Sequence, residues 1–266
     1  MTVESHGTTT LTVGEGATKR TIALVRRAPR DAVGRPGLVW LGGYRSDMDG
    51  TKAVELDRYC GAEGLACTRF DYSGHGRSGG DFRDGTISRW LEESLAVMGQ
   101  EAPGPQILVG SSMGAWIALR LVQEFQRRGE ADRIAGLILL APAPDFTIEL
   151  MEPELTEAQK SDLESKGYFE EPTPYGPEPN VFTRALFEDG RRNRVLNGVI
   201  DAGCPIHIIQ GMADPDVPHT HALRLVEHLP ADDVVLTLVR DGDHRLSRPQ
   251  DIERMLQAIR DLIHQG

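Results

Sequence analysis

Apolar residues recur along this chain in two rhythms that alternate through most of its length. Short runs rich in Val, Ile and Leu predict strands at residues 8–13, 20–25, 37–41, 65–71, 107–109, 134–141, 205–210 and 234–239. Between them, apolar positions return at helical spacing. This predicts helices at 51–64 (Val54, Leu56, Tyr59 and Cys60 on the apolar face), 88–98 (Trp90, Leu91, Leu95 and Met98), 115–125, 220–228 and 251–264. The first two strands are joined by the turn Gly14-Glu-Gly-Ala17 and read as a hairpin at a sheet edge. Strands alternating with helices elsewhere imply a mostly parallel, eight-stranded α/β sheet covered on both faces. No internal repeat and no separate second domain is visible, so residues 1–266 form one expected domain.

The rhythm breaks between Asp145 and Leu196. There the chain is acidic, proline-rich and weakly periodic, and stretches such as Glu170-Glu-Pro-Thr-Pro-Tyr-Gly-Pro-Glu-Pro179 cannot be sheet interior. Residues 145–196 are expected to be an insertion between two sheet strands, partly helical, lying over the functional site as a lid. Its Tyr168, Phe169 and Phe182 either line an apolar pocket or anchor the lid.

Composition narrows the class. A chain of 266 residues with 39% hydrophobic and 26% charged residues is ordinary for a globular protein. A net charge of −11 argues against nucleic acid or an anionic membrane surface as partner. No apolar run is long enough to span a bilayer, and the first residues show neither a secretory nor a transit pattern, so a cytoplasmic location is expected. Cys60, Cys67 and Cys204 have neither disulfide-framework nor zinc spacing and read as small core residues in a reducing compartment.

The chemistry centres on Gly110-Ser111-Ser112-Met113-Gly114, a Gly-x-Ser-x-Gly pentapeptide between the 107–109 strand and the following helix. A sharp turn there forces a strained backbone on Ser112 and presents its hydroxyl at the carboxyl end of the sheet. Glycine at positions 110 and 114 lets strand and helix approach closely. The Met113 N–H, at the helix start, points where an oxyanion would form.

In an open α/β sheet, ligands sit outside the carboxyl ends of the strands, so the remaining groups must come from the other strand-end loops. A serine nucleophile needs a base, and a histidine base needs an orienting carboxylate. Of eight histidines, His6 lies in the N-terminal tail, His264 near the chain end, and His207 within a strand. His219, His221 and His228 belong to one helix, and His219-x-His221 lacks a carboxylate or cysteine partner for a metal. His75 and His244 remain at strand ends. His244, in the Gly-Asp-His turn after the last strand, is the candidate base, and His75 reads as a loop-packing residue. Asp214, in Gly-x-x-Asp-x-x-Val-Pro after the 205–210 strand, is the candidate acid; Asp216 is better placed to cap the next helix, and Asp145 is a further alternative. The oxyanion donors would be the N–H of Met113 and that of Tyr44 or Gly43. The triad Ser112, Asp214, His244 needs no metal or cofactor.

These residues, in this order, resemble the α/β-hydrolase superfamily. The resemblance is carried by residues 43–52 (Gly-Tyr-Arg-Ser-Asp-Met-Asp-Gly-Thr-Lys), Arg69-Phe-Asp-Tyr-Ser-Gly-His-Gly-Arg-Ser78, the elbow, the 204–218 stretch and Asp243-His244-Arg245. Within the superfamily the chain is most similar to a branch of mitochondrial acyl-protein thioesterases. The resemblance implies Ser112 as nucleophile, Asp214 as acid and His244 as base. The His-Gly that commonly precedes the first oxyanion donor in the family is replaced by Gly42-Gly43. The implied activity is hydrolysis of an ester or thioester in a small-molecule or acylated substrate, through an acyl-enzyme. Alternatives are a peptidase, amidase or C–C bond hydrolase using the same triad, or a binding module that kept the elbow without catalysis. Oligomeric state is not readable from the sequence.

Overall fold

The structure is a computed structural model that describes residues 7–30, 34–174, 176–229 and 233–265. In chain order its strands are β1 (Thr9–Val13), β2 (Arg20–Arg27), β3 (Gly37–Leu41), β4 (Cys67–Phe70), β5 (Gln106–Ser111), β6 (Ile134–Leu140), β7 (Tyr168–Glu171), β8 (Asn180–Thr183), β9 (Ile206–Gly211) and β10 (Val234–Val239). Eight of them form one sheet in the order β1-β2-β4-β3-β5-β6-β9-β10. The β1–β2 hairpin and the β2–β4 pair are antiparallel, and every other pairing in this sheet is parallel.

The central strands are apolar because both of their faces are covered. All of β3 and β5 is buried, with Leu108 paired to Val39 on one side and to Leu137 on the other. Helices α1 (Thr51–Glu63) and α7 (Pro249–Gln265) cover one face, packing Leu56, Cys60, Met255 and Ile259 against Leu38, Trp40 and Val109. Helices α2 (Ile87–Gln100), α3 (Met113–Arg127) and α6 (His219–Glu227) cover the other, with Trp90, Trp116 and Leu225 in its core. All three cysteines are buried.

Residues 145–196, between β6 and β9, pack Phe146, Phe169, Phe182, Leu186 and Phe187 into the same core as Trp90 and Trp116. They form a π-helical turn at Thr147–Met151, helices α4 (Glu157–Ser165) and α5 (Arg184–Arg192), and a two-stranded ribbon of β7 and β8. The two helices agree with the partly helical expectation, and the ribbon is an element beyond it. Its strands are short and carry exposed Glu170 and Glu171 beside buried Phe169, and a proline-rich turn separates them, so no period is long enough to read. Polar ties fix the stems. The buried Asp189 carboxylate accepts the Ser88 amide and hydroxyl, each at 2.8 Å, and the Trp116 indole donates to the Asn193 carbonyl at 2.9 Å. Asp145, fully buried, accepts the amides of Val195 and Leu196, while Glu149 pairs with Arg194 and Arg224. Among the described residues, no helix is long and apolar enough to cross a membrane.

Candidate active site

Ser112 sits between the last residue of β5 and the first of α3, with φ 54° and ψ −117°. That conformation is costly for a residue with a side chain, and the surroundings hold it in place. The Ser112 amide donates to the Leu140 carbonyl at 2.9 Å, and its carbonyl accepts the Ala115 amide at 3.0 Å. The flanking glycines are demanded by space. A Cβ at Gly110 would lie 2.6 Å from the Gly114 carbonyl oxygen, and one at Gly114 would lie 2.1 Å from that of Leu41. The hydroxyl is therefore raised above the sheet by two close backbone crossings.

The sheet brings Ser112, His244 and Asp214 together. His244 Nε2 is 3.1 Å from Ser112 Oγ, and His244 Nδ1 is 2.8 Å from Asp214 Oδ2. Asp214 follows β9 and His244 follows β10, and the two loops are joined by the Ala213 amide donating to the Gly242 carbonyl at 2.9 Å. Backbone contact requires glycine here too, since a Cβ at Gly211 would meet the Gly242 oxygen at 2.3 Å. Lys52, at the start of α1, donates to the Arg245 carbonyl and so ties α1 to the loop that carries His244.

The Asp214 side chain is fully buried, which pushes its pKa up. The His244 hydrogen bond and charge, with the amides of Val217 and Asp216 at 2.9 and 2.8 Å, outweigh that and hold it below the ordinary carboxylate value. It is an anion aimed at an imidazole. Asp214, Asp216 and His244 are also the one group, among the described residues, with three side-chain ligand atoms within 4.8 Å of one another. Both Asp214 oxygens and both His244 nitrogens already serve hydrogen bonds in the site, a pattern suited to proton relay rather than to an open metal coordination set.

The other sequence candidates have different tasks. Asp145 holds the 145–196 stem. Asp216 does not cap α6, whose N-cap is Pro218 without a side-chain hydrogen bond; its amide donates to Asp214 instead. His221 is buried and bonded to the Pro144 carbonyl at 2.8 Å, and His207 to the Thr237 hydroxyl at 2.9 Å. His6 lies outside the described residues.

The loop after β3 faces Ser112 from the opposite side. Gly43 and Tyr44 were both candidate oxyanion donors, and the structure separates them. The Gly43 amide is taken by Ser46 Oγ at 2.9 Å, whereas among the described residues neither the Tyr44 nor the Met113 amide has an acceptor. Sequence reasoning missed what shapes this loop. The Arg45 amide donates to His75 Nε2 at 3.1 Å, and the Met48 amide donates to the buried Asp71 carboxylate at 2.7 Å. Their one visible signal was proximity within Asp71-Tyr-Ser-Gly-His75 at the end of a neighbouring strand.

Between the loop and residues 145–196 lies a cavity of about 650 Å³ that contains Ser112 and His244. Phe146, Leu150, Met151, Phe182 and Val217 give it an apolar wall, and Lys52 and Arg245 stand on its polar side. Phe182 thus faces the cavity and stacks on Tyr44 with ring centres 5.1 Å apart. Phe169 is buried against Phe182 and Phe187, and Tyr168 lies under the Arg83 guanidinium at 4.2 Å, so these two anchor the ribbon.

A doubly covered, mostly parallel sheet with a serine elbow before α3 and an Asp–His pair after later strands defines a hydrolase architecture. The chain belongs to the α/β-hydrolase family, whose sequence profile matches residues 34–257. It is 33% identical over 229 residues to the human protein named palmitoyl-protein thioesterase ABHD10, mitochondrial, spanning 86% of this chain and 73% of that one. The mouse α/β hydrolase domain-containing protein 10 superposes with a TM-score of 0.82 at 30% identity, covering 97% of this chain and 99% of that chain. A crystal structure of an Agrobacterium vitis S4 protein is more similar still, with a TM-score of 0.93 and 63% identity over 97% of this chain and 98% of that one.

Proposed function

We propose that this protein hydrolyses carboxylic esters or thioesters of acylated substrates through an acyl-enzyme on Ser112, with His244 as base and Asp214 as orienting acid. The observation that carries the reading is the unbroken contact from Ser112 Oγ through His244 to Asp214, at 3.1 and 2.8 Å. Ser112 Oγ attacks the acyl carbonyl as His244 Nε2 takes its proton, and the amides of Tyr44 and Met113 receive the oxyanion. The tetrahedral intermediate collapses, and His244 returns the proton to the departing thiol or alcohol. A water then attacks the acyl-enzyme with His244 again as base, which releases the acid and restores Ser112. Asp214 remains ionised throughout and keeps Nδ1 protonated.

The similarity to a named palmitoyl-protein thioesterase favours a thioester and a fatty acyl group. The apolar wall of the cavity is suited to such a chain, with residues 145–196 acting as the lid over it. Buried Cys60 and Cys67, which form no disulfide, support action in a reducing compartment such as the cytoplasm.

Purified protein and Ser112→Ala are compared on p-nitrophenyl esters and acyl-CoA thioesters from acetyl to palmitoyl. The expected result is turnover that rises with chain length and falls by about a million-fold in the variant. Equal activity in the two proteins, or none in either, overturns the assignment.

A further inference from the structure

Of the consecutive Gly43, Tyr44 and Arg45 amides in the loop after β3, one has no acceptor among the described residues. Gly43 N–H is held by Ser46 Oγ at 2.9 Å and Arg45 N–H by His75 Nε2 at 3.1 Å, which leaves Tyr44 N–H between them without an acceptor among the described residues. Arg45 has a φ of 55°, a conformation that a residue with a side chain seldom keeps without an outside tie. The family's usual histidine is absent from this loop, where Gly42 and Gly43 stand instead.

We infer that His75 is a positioning residue for the oxyanion site: reaching in from the loop after β4, it accepts the Arg45 amide and thereby selects and aims the Tyr44 amide. The inference rests on the hydrolase reading for its catalytic consequence, but not for its geometry. His75 is built for this task. Its ring is buried between Phe82 and Trp90, with centroids 5.0 and 5.3 Å away. Nδ1 lies 3.2 Å from the Ser73 carbonyl oxygen, to which it donates, so Nε2 is the bare acceptor that a backbone N–H requires. Burial lowers its pKa to about 4, which keeps that acceptor available at neutral pH. The ring also has no route to the chemistry as a base, because both nitrogens are committed to backbone groups. Glycine on either side lets the loop fold this tightly: a Cβ at Gly74 would meet Phe82 Cα at 2.5 Å, and one at Gly76 would meet Asp71 Oδ2 at 2.2 Å.

The test compares His75→Phe, which keeps an aromatic ring but loses the acceptor, with His75→Gln, whose amide oxygen can replace it. Two readouts are taken: steady-state kinetics on a p-nitrophenyl ester, and hydrogen exchange of the Arg45 amide. Losing an oxyanion donor outright costs about 10²- to 10³-fold in kcat, so a misaimed one is expected to cost roughly 10- to 100-fold. The expected result is that loss in His75→Phe, with KM nearly unchanged, faster Arg45 exchange, and recovery of both in His75→Gln. Wild-type kcat and Arg45 protection in His75→Phe would overturn the inference. So would an equal loss in both variants, which indicates a packing role. If His75→Phe does not fold, Ser46→Ala on the exposed side of the loop together with His75→Gln decides it: a drop in kcat for the first and near-normal kcat for the second are required. If the wild type shows no Ser112-dependent turnover, the hydrolase reading fails, while the exchange measurement still decides whether His75 holds the loop.

Discussion

The two loops that meet at Ser112 are built by opposite means. The elbow at 110–114 takes its shape from steric contact within a strand–turn–helix unit, where glycine is needed because backbone lies 2.1 to 2.6 Å from where a Cβ would be. The loop at 43–52 has little such crowding and is held by side chains from elsewhere. His75 and Asp71 accept its amides, Asp49 pairs with Arg69 and Arg77, Arg45 pairs with Glu178, and Lys52 donates to the loop of His244. One loop is rigid through local geometry, and the other is rigid only when its partners are in place. The first should fail abruptly and the second by degrees.

Gly114→Ala is the sharpest way to break that contrast. The added methyl cannot be accommodated without moving β3 from α3, and a loss of about 3 kcal/mol is expected, lowering Tm by roughly 6–12 °C. Calorimetry checks this, and an unchanged Tm would mean that the elbow is not sterically fixed.

Asp71→Asn attacks the other loop. It removes one of the carboxylate oxygens that accept Met48 and Arg77, for an expected cost of about 1–3 kcal/mol in urea unfolding. Its pH dependence is diagnostic. Burial raises the Asp71 pKa despite the opposing amides of Arg77 and Met48. The folded state therefore binds this proton more tightly than the unfolded one. That stabilisation is complete below the unfolded value of about 4 and is lost as pH rises through the folded value. The stability gap between wild type and variant should accordingly narrow from acid toward neutral pH. A gap that widens with pH would refute the assignment.

Tyr44→Phe is the gentlest probe. The phenol donates to the Val181 carbonyl in the ribbon, and the substitution leaves the Tyr44 backbone amide in place. The expected cost is about 1 kcal/mol, read as faster proteolysis within residues 171–180, with kcat within roughly twofold. A kcat loss as large as that of His75→Phe would mean that the ribbon, rather than His75, orients the loop.

The same distinction explains what could be read in advance. The alternation of strands and helices was legible because each central element buries a continuous apolar face. Ser112 was legible because the elbow's requirements are satisfied within five neighbouring positions. The order Ser112, Asp214, His244 followed from each lying just after a strand. Boundaries moved by only a few residues, as with α3, which begins at Met113 rather than Ala115. The β7–β8 ribbon was hidden, because short strands with exposed glutamates around a proline-rich turn carry no period.

By itself, then, the sequence determined the layered sheet, the elbow and the strand ends at which chemistry could occur, since these depend on side-chain periodicity and on glycine at close backbone crossings. Tertiary structure alone decided that Ser46 takes the Gly43 amide while the Tyr44 amide has no acceptor among the described residues, that Asp145 anchors residues 145–196 instead of serving His244, and that Phe182 faces the cavity while Phe169 does not. Each of those outcomes turns on partners far away in the chain, such as the 30 positions between Arg45 and His75 or the 50 between Asp145 and Val195. A hydrogen bond has no sequence period, so such partners are set only when the sheet brings their strand ends together.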